Sequence, residues 1–285
     1  MMTLAKKCFV SLESLIQGFA VDTVDSTISV SGIAIDSRLV KPGDCFIALK
    51  GAVTDGAHYI DQAVASGAVA VLVDRLSEVS IDQDNIGASI VAIDNLSYHL
   101  SEIAGRFYNN PSQSMNVVAF TGTNGKTTCS LLYSQLLARA LVLGERQKSS
   151  YIGTTGYGVA EPHASNSSDN LFKAKRSGST QLTTPDAVSV QRILAELANN
   201  GTDSVALEAS SHSLVQYRLQ SVEIDTAVFT NLSRDHLDYH KDLQSYAAAK
   251  ARLFEMPSVK TAIINLDDSV GGQIAANLQP EIQLI

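Results

Sequence analysis

Short apolar runs of strand length alternate with helical patterns along most of the chain. In the N-terminal part, the pattern predicts strands at 33–35, 45–49, 68–73 and 90–93 and helices at 59–66 and 97–108. Such alternation is typical of an α/β fold. The breaker cluster Asn-Asn-Pro-Ser at 109–112 then predicts a linker. We therefore expect two domains, one of residues 1–111 and one of residues 112–285.

The second domain is predicted to contain a mostly parallel sheet. Its later strands are expected at 204–207, 226–229 and 261–264. These runs are continuously apolar, as strands of a parallel sheet covered on both faces should be. The polar residues that follow them directly are Glu208, Thr230, Asn231, Asn265 and Asp267. Because open α/β sheets bind ligands at the carboxyl ends of their strands, a ligand site is predicted at this edge.

The first strand of this domain leads into a candidate phosphate loop. Residues 117–128 read VVAFTGTNGKTT, and an amphipathic pattern follows at 130–140. Backbone N–H groups of such a loop converge on an anion at the helix N-terminus, where the helix dipole adds to the attraction. Lys126 is expected to reach the terminal phosphates, and the Thr127 hydroxyl a bound Mg²⁺. An ordinary glycine-rich turn accounts poorly for Gly-Lys-Thr-Thr after a buried strand.

Two further segments of this domain are predicted from local signals. The polar stretch 161–179, which contains the basic residues Lys173 and Arg176, is expected to be a surface excursion, either mobile or hairpin-like. A helix is predicted from Thr184 to about Asn199, with Thr184 as its N-cap and proline at the first helical position. The alanine-rich segment 245–254 predicts another helix.

Composition narrows the class of protein. A chain of 285 residues has room for about two domains. The net charge of −8 and the absence of long basic runs argue against a nucleic-acid or anionic-membrane surface. Residues 1–10 lack the apolar core of a signal peptide, and the three cysteines form no Cys-x-x-Cys pair. We expect a cytoplasmic enzyme with reduced thiols, none of them a nucleophile, and no membrane insertion.

Four motifs together resemble the Mur ligases, the ATP-dependent amide-bond-forming enzymes of peptidoglycan precursor synthesis. They are DSR at 36–38, TGTNGKTT at 121–128, EASSHSLVQYR at 208–218 and TNLSRDHLDYH at 230–240. The shortened loop, with only two residues between Gly122 and Gly125, is a mark of this family. Within it, the motifs are most similar to the members that add the third residue of the stem peptide.

The resemblance implies a fold and a reaction. A small N-terminal α/β domain would bind UDP, and a P-loop-type central domain would be the ATPase. The γ-phosphate of ATP would pass to the terminal carboxylate of UDP-MurNAc-L-Ala-D-Glu, and the amine of a free amino acid would displace it. Positioning and charge neutralisation dominate such phosphoryl transfers. The added residue is left open between meso-diaminopimelate, which is favoured, and L-lysine, and we expect a monomer.

The resemblance also implies site residues. The residues expected to bind ATP are Gly122, Thr123, Asn124, Gly125, Lys126, Thr127, Thr128, Asn231 and Asn265. The expected catalytic residues are Lys126, Glu208, His236 and Lys250. The expected ligands of Mg²⁺ are Thr127 and Glu208 for one ion, with His236 and a modified Lys250 at a second. The residues expected to bind the UDP-MurNAc-dipeptide are Ile35, Ser37, Ala52, Val53, Thr54, Thr183, Thr184, Ser210, Gln216 and Arg218.

Lys250 matches the family lysine that is carbamylated by CO₂. Taken alone, a lysine in the alanine-rich segment 245–254 would be an ordinary solvated helix residue. Carbamylation would turn this cation into an anionic oxygen ligand, suited to a second Mg²⁺. The reaction requires the neutral amine, and partial burial favours that form by lowering the pKa of a lysine. We therefore predict a carbamate on Lys250.

Three alternatives bear on this interpretation. Folylpolyglutamate and cyanophycin synthetases have similar loops, but the N-terminal domain with its Asp36-Ser37-Arg38 motif argues against both. A Mur-like nucleotide-binding protein without ligase activity should have lost metal ligands, and none of the expected ones is replaced. Mur ligases also have a C-terminal domain that selects the amino acid. We expect it to be missing here through truncation rather than gene degeneration, which would leave this chain alone inactive.

Overall fold

A computed structural model describes residues 9–19, 25–51, 54–77, 87–140, 148–160, 174–235 and 237–285. The chain divides into two compact units, Met1–Asn109 and Asn110–Ile285. The division falls inside the breaker cluster 109–112. Among the residues described, no helix is both long enough and apolar enough to cross a lipid bilayer.

The first unit has the α/β arrangement that its alternating pattern predicts, and its main sheet is parallel. Its strands are β1 (Val10–Ser11), β2 (Ser29–Val30), β3 (Gly32–Ala34), β4 (Asp44–Ala48), β5 (Ala70–Asp74) and β6 (Ser89–Ile93). Its helices are α1 (Leu12–Ile16), α2 (Ile60–Ala65) and α3 (Leu96–Phe107). Strands β3 to β6 pair in sequence order and in parallel, whereas β1 and β2 form a separate antiparallel pair. Phe46, Ile60 and Val71 lie in the core between this sheet and α2.

The second unit contains the larger sheet. Its strands are β7 (Asn116–Thr121), β8 (Ser149–Gly153), β9 (Gly156–Ala160), β10 (Ala174–Gly178), β11 (Ser204–Glu208), β12 (Thr226–Phe229), β13 (Thr261–Ile264) and β14 (Gln283–Leu284). Its helices are α4 (Lys126–Ala140), α5 (Ala187–Asn199), α6 (Ser211–Val215), α7 (Leu237–His240), α8 (Leu243–Ala251) and α9 (Ser269–Ala276). Within the described residues, the strand order is β10-β9-β8-β11-β7-β12-β13-β14.

The prediction of a mostly parallel α/β sheet is confirmed. Strands β8, β11, β7, β12, β13 and β14 run parallel, which brings the ends of β7, β11 and β12 to one edge. The sequence pattern did not predict β8, β9 and β10, of which β9 and β10 are antiparallel. These three strands are rich in glycine, serine and charged residues, so they lack a continuous apolar run. Part of the predicted surface excursion, 174–178, is therefore the edge strand β10, and 161–173 lies outside the described residues.

The predicted N-cap of α5 is wrong. The helix begins at Ala187, and the Asp186 carboxylate accepts the Ser189 N–H at 2.9 Å. Thr184 is buried and its hydroxyl donates instead to the Glu208 carbonyl at 2.7 Å. Local sequence signals favoured Thr184 as the N-cap because proline follows it. The Thr184 hydroxyl is buried, however, and a buried hydroxyl without a hydrogen-bond partner would cost free energy, so it bonds within the core. The helix α8 is likewise capped by Asp242, three residues before the predicted start.

Candidate functional site

The phosphate loop lies between β7 and α4 and approaches the strand end of β12 closely. Gly122 has φ of 145°, and a Cβ atom there would overlap the Thr230 hydroxyl. The Thr123 N–H donates to the Asn231 carbonyl at 2.8 Å, and the Asn124 N–H donates to Asn231 Oδ1 at 3.0 Å. Only glycine at position 122 permits the loop to approach Thr230 so closely. Hydrogen bonds to the segment that follows β12 hold the loop in place.

Lys126 is the first residue of α4, and its ammonium group lies over the loop. Nζ donates to the Gly122 carbonyl at 2.9 Å and to the Thr123 carbonyl at 3.0 Å. Burial lowers the pKa of Lys126, while the negative charges of Glu208 and Asp235 oppose that shift. The lysine is thus folded onto the loop where an incoming phosphate would offer it better acceptors.

Glu208 ends β11 and is only 1% exposed. Its Oε2 accepts the Thr127 hydroxyl at 2.9 Å and the Thr154 hydroxyl at 3.1 Å, and its Oε1 accepts the Thr154 N–H at 2.9 Å. A Cβ at Gly153 would overlap the carboxylate, so the glycine makes room for it. A carboxylate so deeply placed, and held only by neutral donors, is suited to receive a cation.

Lys250 reaches the same loop from α8. It is 1% exposed, and its Nζ donates to the Gly122 carbonyl at 2.7 Å and lies 4.4 Å from the centre of the Tyr246 ring. Burial, with a further contribution from the charge of Lys126, lowers the pKa of Lys250 to about 7, against the opposing effect of Asp235. Lys250 is therefore not a solvated helix residue, and its burial favours the neutral form of the amine.

The other predicted ATP-binding residues surround the loop. The Asn231 side chain bridges Asn124 by also donating to its carbonyl at 3.1 Å, and Asn265 donates to the Thr230 carbonyl at 2.9 Å. Gly125 has φ of 87°, and Thr128 is exposed in the first turn of α4. Asn231 thus holds the backbone of the loop, whereas Asn265 holds the segment that follows β12.

The residues predicted to hold the dipeptide are brought together on one side of Glu208. The Ser210 N–H donates to the Thr184 hydroxyl at 3.0 Å, and Thr183 lies 3.1 Å from Thr154 between their hydroxyl oxygens. Arg218 donates to the Thr184 carbonyl and to Gln216 Oε1, each at 2.6 Å. Burial lowers the pKa of the Arg218 guanidinium, which nevertheless stays charged.

Two histidines lie between the substrate side and Lys250. The His212 ring is 4.1 Å from that of Tyr239 and 5.5 Å from that of His240, and His240 is 5.1 Å from Tyr246. His240 is buried with Nε2 at 2.8 Å from the Ser211 hydroxyl. These rings are thus in contact one after another, from His212 to Tyr246.

The remaining predicted residues belong to the first unit or lie outside the described residues. Ser37 is buried, and its hydroxyl donates to Gln62 at 2.9 Å, while Asp36 caps the short turn that follows β3. Ile35 is 36% exposed, and Thr54 is exposed on its loop. Ala52, Val53 and His236 lie outside the described residues.

The donor set at Glu208 fits a hard divalent cation. Thr127 and Glu208 present a hydroxyl and a carboxylate oxygen 2.9 Å apart at the start of α4. Mg²⁺ prefers such oxygen ligands and usually keeps several waters beside one or two carboxylates. Within the described part of the chain, no group of three histidine, cysteine or acidic side chains could hold a metal alone. A cation here would thus need phosphate or water oxygens as further ligands.

Sequence reasoning missed three residues that the fold brings to the site: Gly153, Thr154 and Tyr246. The segment Gly-Thr-Thr-Gly at 153–156 carries a turn signal, but nothing local connects it to Glu208. Tyr246 follows the helical pattern of α8, four residues before Lys250, so its position on the same helix face could have been predicted. Their importance follows from contacts between distant parts of the chain.

Comparison with known proteins places these motifs in a family. The Mur ligase middle domain matches residues 120–284, and the catalytic domain of the Mur ligase family matches residues 29–108. Two similar relatives are both named UDP-N-acetylmuramoyl-L-alanyl-D-glutamate–2,6-diaminopimelate ligase. The one from Ectopseudomonas mendocina (strain ymp) is 44% identical over 252 residues, which are 88% of this chain and 47% of the relative. The one from Pseudomonas putida is 43% identical over 246 residues, which are 86% and 45%.

A solved structure of a protein with the same name is also similar. It is 32% identical, and the match has a TM-score of 0.75 and covers 98% of this chain and 52% of that chain. The chain therefore spans about half the length of the curated relatives it matches.

Proposed function

Because the chain belongs to the Mur ligase family, we propose that it contains the UDP-binding and ATP-binding domains of a cytoplasmic ligase. This ligase joins diaminopimelate to UDP-MurNAc-L-Ala-D-Glu, with ATP and Mg²⁺, in peptidoglycan precursor synthesis. The observation that carries the proposal is the buried Glu208 carboxylate held against Thr127 beside the phosphate loop. Diaminopimelate is chosen over lysine because the two relatives are named as ligases of 2,6-diaminopimelate.

The nucleotide side of the reaction follows from the loop. Backbone N–H groups at the start of α4 and the Lys126 ammonium would bind the β- and γ-phosphates. Thr127 and Glu208 would hold Mg²⁺, which neutralises phosphate charge as the γ-phosphoryl group leaves. Lys126 would exchange the two loop carbonyls for phosphate oxygens, whose negative charge favours the charged form of the lysine.

The acceptor side follows from Thr183, Thr184, Ser210, Gln216 and Arg218. Arg218 is oriented by the Thr184 carbonyl and Gln216, which leaves its planar group suited to a carboxylate of the dipeptide. That carboxylate would be held facing the γ-phosphate, and the acyl phosphate formed there would react with the incoming amine. Ile35, Ser37 and the loop 52–54 are proposed to contact the UDP group.

ATP binding is tested by Lys126→Ala. Removal of the only side-chain cation of the loop should weaken Mg²⁺–ATP binding by about a hundredfold, equivalent to about 2.7 kcal/mol, without loss of the fold. Isothermal titration calorimetry with a non-hydrolysable ATP analogue measures this. Lys260→Ala is the matched control, since Lys260 is exposed and pairs with Asp225 away from the loop. Equal affinity in both variants would contradict the assignment of the loop.

We further propose that Lys250 is carbamylated and contributes to a second Mg²⁺ site with His236. The neutral amine would attack CO₂, forming an N–C bond and releasing one proton to water. Support comes from the burial of Nζ and from the pKa of Lys250, which is lowered to about 7. In ¹³C-bicarbonate, NMR should show a carbamate signal that is absent in Lys250→Ala and retained in Lys126→Ala. If wild type shows no such signal, the modification is excluded.

A nucleotide-binding protein without ligase activity is the second candidate. It would bind Mg²⁺–ATP but not UDP-MurNAc-L-Ala-D-Glu. Calorimetry with the dipeptide ligand separates the two, and binding of that ligand is the result that the ligase proposal requires.

A further inference from the structure

Thr154 lies at the tip of the hairpin that joins β8 to β9. Gly153 and Gly156 pair across the hairpin, so Thr154 and Thr155 are its two turn residues. Although Thr154 is exposed, both its backbone N–H and its hydroxyl contact the buried Glu208 carboxylate, at 2.9 and 3.1 Å. Two hydrogen bonds thereby connect the turn of the β8–β9 hairpin to the proposed metal site.

The Thr154 hydroxyl has a second neighbour. Its Oγ1 lies 3.1 Å from the hydroxyl oxygen of Thr183, the same distance as from Glu208 Oε2. A hydroxyl donates one proton, so it can donate to only one of these two oxygens at a time. The carboxylate is the stronger acceptor, and in the absence of ligands it is expected to accept the hydrogen bond from Thr154.

A cation at Glu208 changes this balance. A cation bound at Oε2 would compete with the Thr154 proton for the lone pairs of that oxygen, and within the described residues Thr183 is the other acceptor of the Thr154 hydroxyl. Thr183 would then accept from Thr154, and its own proton would be directed towards an anionic ligand. Thr184, the next residue, is held by hydrogen bonds to the Glu208 carbonyl and from the Ser210 N–H. These bonds fix the backbone that carries Thr183.

We propose that Thr154 is a positioning residue that couples cation occupancy at Glu208 to the orientation of the Thr183 hydroxyl. This rests on the proposed function, in which Glu208 takes Mg²⁺–nucleotide and Thr183 contacts the dipeptide substrate. Bound nucleotide with Mg²⁺ would therefore raise the affinity of the site for the anionic substrate. The coupling is reciprocal, because linkage between two ligands has one free energy.

The test measures the dissociation constant of UDP-MurNAc-L-Ala-D-Glu by calorimetry, with and without a non-hydrolysable ATP analogue and Mg²⁺. In wild type, the nucleotide should tighten substrate binding by about fivefold or more. In Thr154→Val, which keeps the backbone N–H and the shape of the side chain, this ratio should fall to about one. Thr154→Ser restores the hydroxyl and should restore the ratio.

Thr155→Val is the matched control, because it places the same substitution at the other exposed turn position of the hairpin. It should leave the ratio as in wild type. A second readout is the melting temperature of the ligand-free variants, which verifies that both are folded at the temperature of the titrations. Thr154→Val should be the less stable of the two, because it loses the hydrogen bond to Glu208. A Thr154→Val variant with the wild-type ratio would overturn the inference, and so would a wild type that binds both ligands without coupling. If wild type binds neither ligand, the proposed function itself fails.

Discussion

Each of the two units fits a carboxylate into its parallel sheet beside a glycine of a neighbouring strand, but for different purposes. In the first unit, Gly32 on β3 pairs with Asp44 on β4, and a Cβ at Gly32 would overlap the Asp44 carboxylate. In the second unit, Gly153 ends β8, and a Cβ there would overlap the Glu208 carboxylate at the end of β11.

The difference lies in which end of the strand carries the acid and which donors it meets. Asp44 begins its strand, is 8% exposed, and accepts the Lys41 N–H at 2.9 Å, which closes the turn before β4. Glu208 ends its strand and accepts hydroxyls from the phosphate loop and the hairpin. Similar packing thus stabilises a turn at one end of a strand and places Glu208 in the candidate site at the other, the end at which open α/β sheets bind ligands.

The strongest test of this comparison replaces each of the two glycines separately by alanine. Gly153→Ala should displace Glu208 and weaken Mg²⁺-dependent binding of the ATP analogue by about a hundredfold. Gly32→Ala should leave that binding unchanged and lower the free energy of unfolding by about 1–3 kcal/mol, because overpacking strains the turn. Calorimetry and urea denaturation measure the two effects. If both variants lose stability alike and neither loses binding, the two carboxylates serve the same structural purpose.

A milder test removes the charge and keeps the shape. Glu208→Gln should weaken Mg²⁺-dependent binding of the ATP analogue by about tenfold or more, because a hard cation prefers the anionic oxygen. Asp44→Asn should not alter it, since the amide oxygen can still accept the Lys41 N–H. Titrations with Mg²⁺ and with EDTA separate the metal-dependent part of the affinity. Nucleotide binding that stays metal-dependent and unweakened in Glu208→Gln would place the cation elsewhere.

The last prediction concerns the pH dependence of the free energy of unfolding, which arises from buried groups that titrate. The pKa of Lys250 is lowered from 10.5 to about 7, so above pH 7 the unfolded chain binds more protons than the folded one. Stability from this group therefore rises with pH, by at most about 1.4 kcal/mol per pH unit. Lys250→Met should remove that slope between about pH 7 and pH 9 in CO₂-free buffer. Urea denaturation across this range measures it.

Cys45 of the first unit provides the contrast. Burial raises the pKa of its thiol to about 12, so its titration affects stability only above the unfolded value of 9.0, where stability is lost as pH rises. Cys45→Ala should thus shift the free energy of unfolding by a constant amount between about pH 7 and pH 9. A slope that persists in Lys250→Met would show that another group is responsible.

Local sequence sufficed to predict much of the fold and to identify the candidate phosphate loop. The strands at 226–229 and 261–264 were predicted to the residue, because uninterrupted apolar runs between polar ends specify buried parallel strands. The phosphate loop was recognisable because strand, glycine turn and helix start are adjacent in the chain. The α5 cap and the strands β8 to β10 were not, since their conformation depends on partners elsewhere in the sheet.

What the sequence determined by itself is the set of elements that form through neighbouring residues: the alternating strands and helices, the phosphate loop, and the polar residues at the strand ends. Only the tertiary structure decided that Thr154 holds Glu208 across 54 positions and that Lys250 reaches Gly122 across 128 positions. Such contacts depend on strand order and on how closely a glycine lets two strands approach. Strand order and close approach at a glycine produce no periodic pattern in the sequence. The energy of a buried charge depends on the donors around it in space and not on its neighbours in sequence.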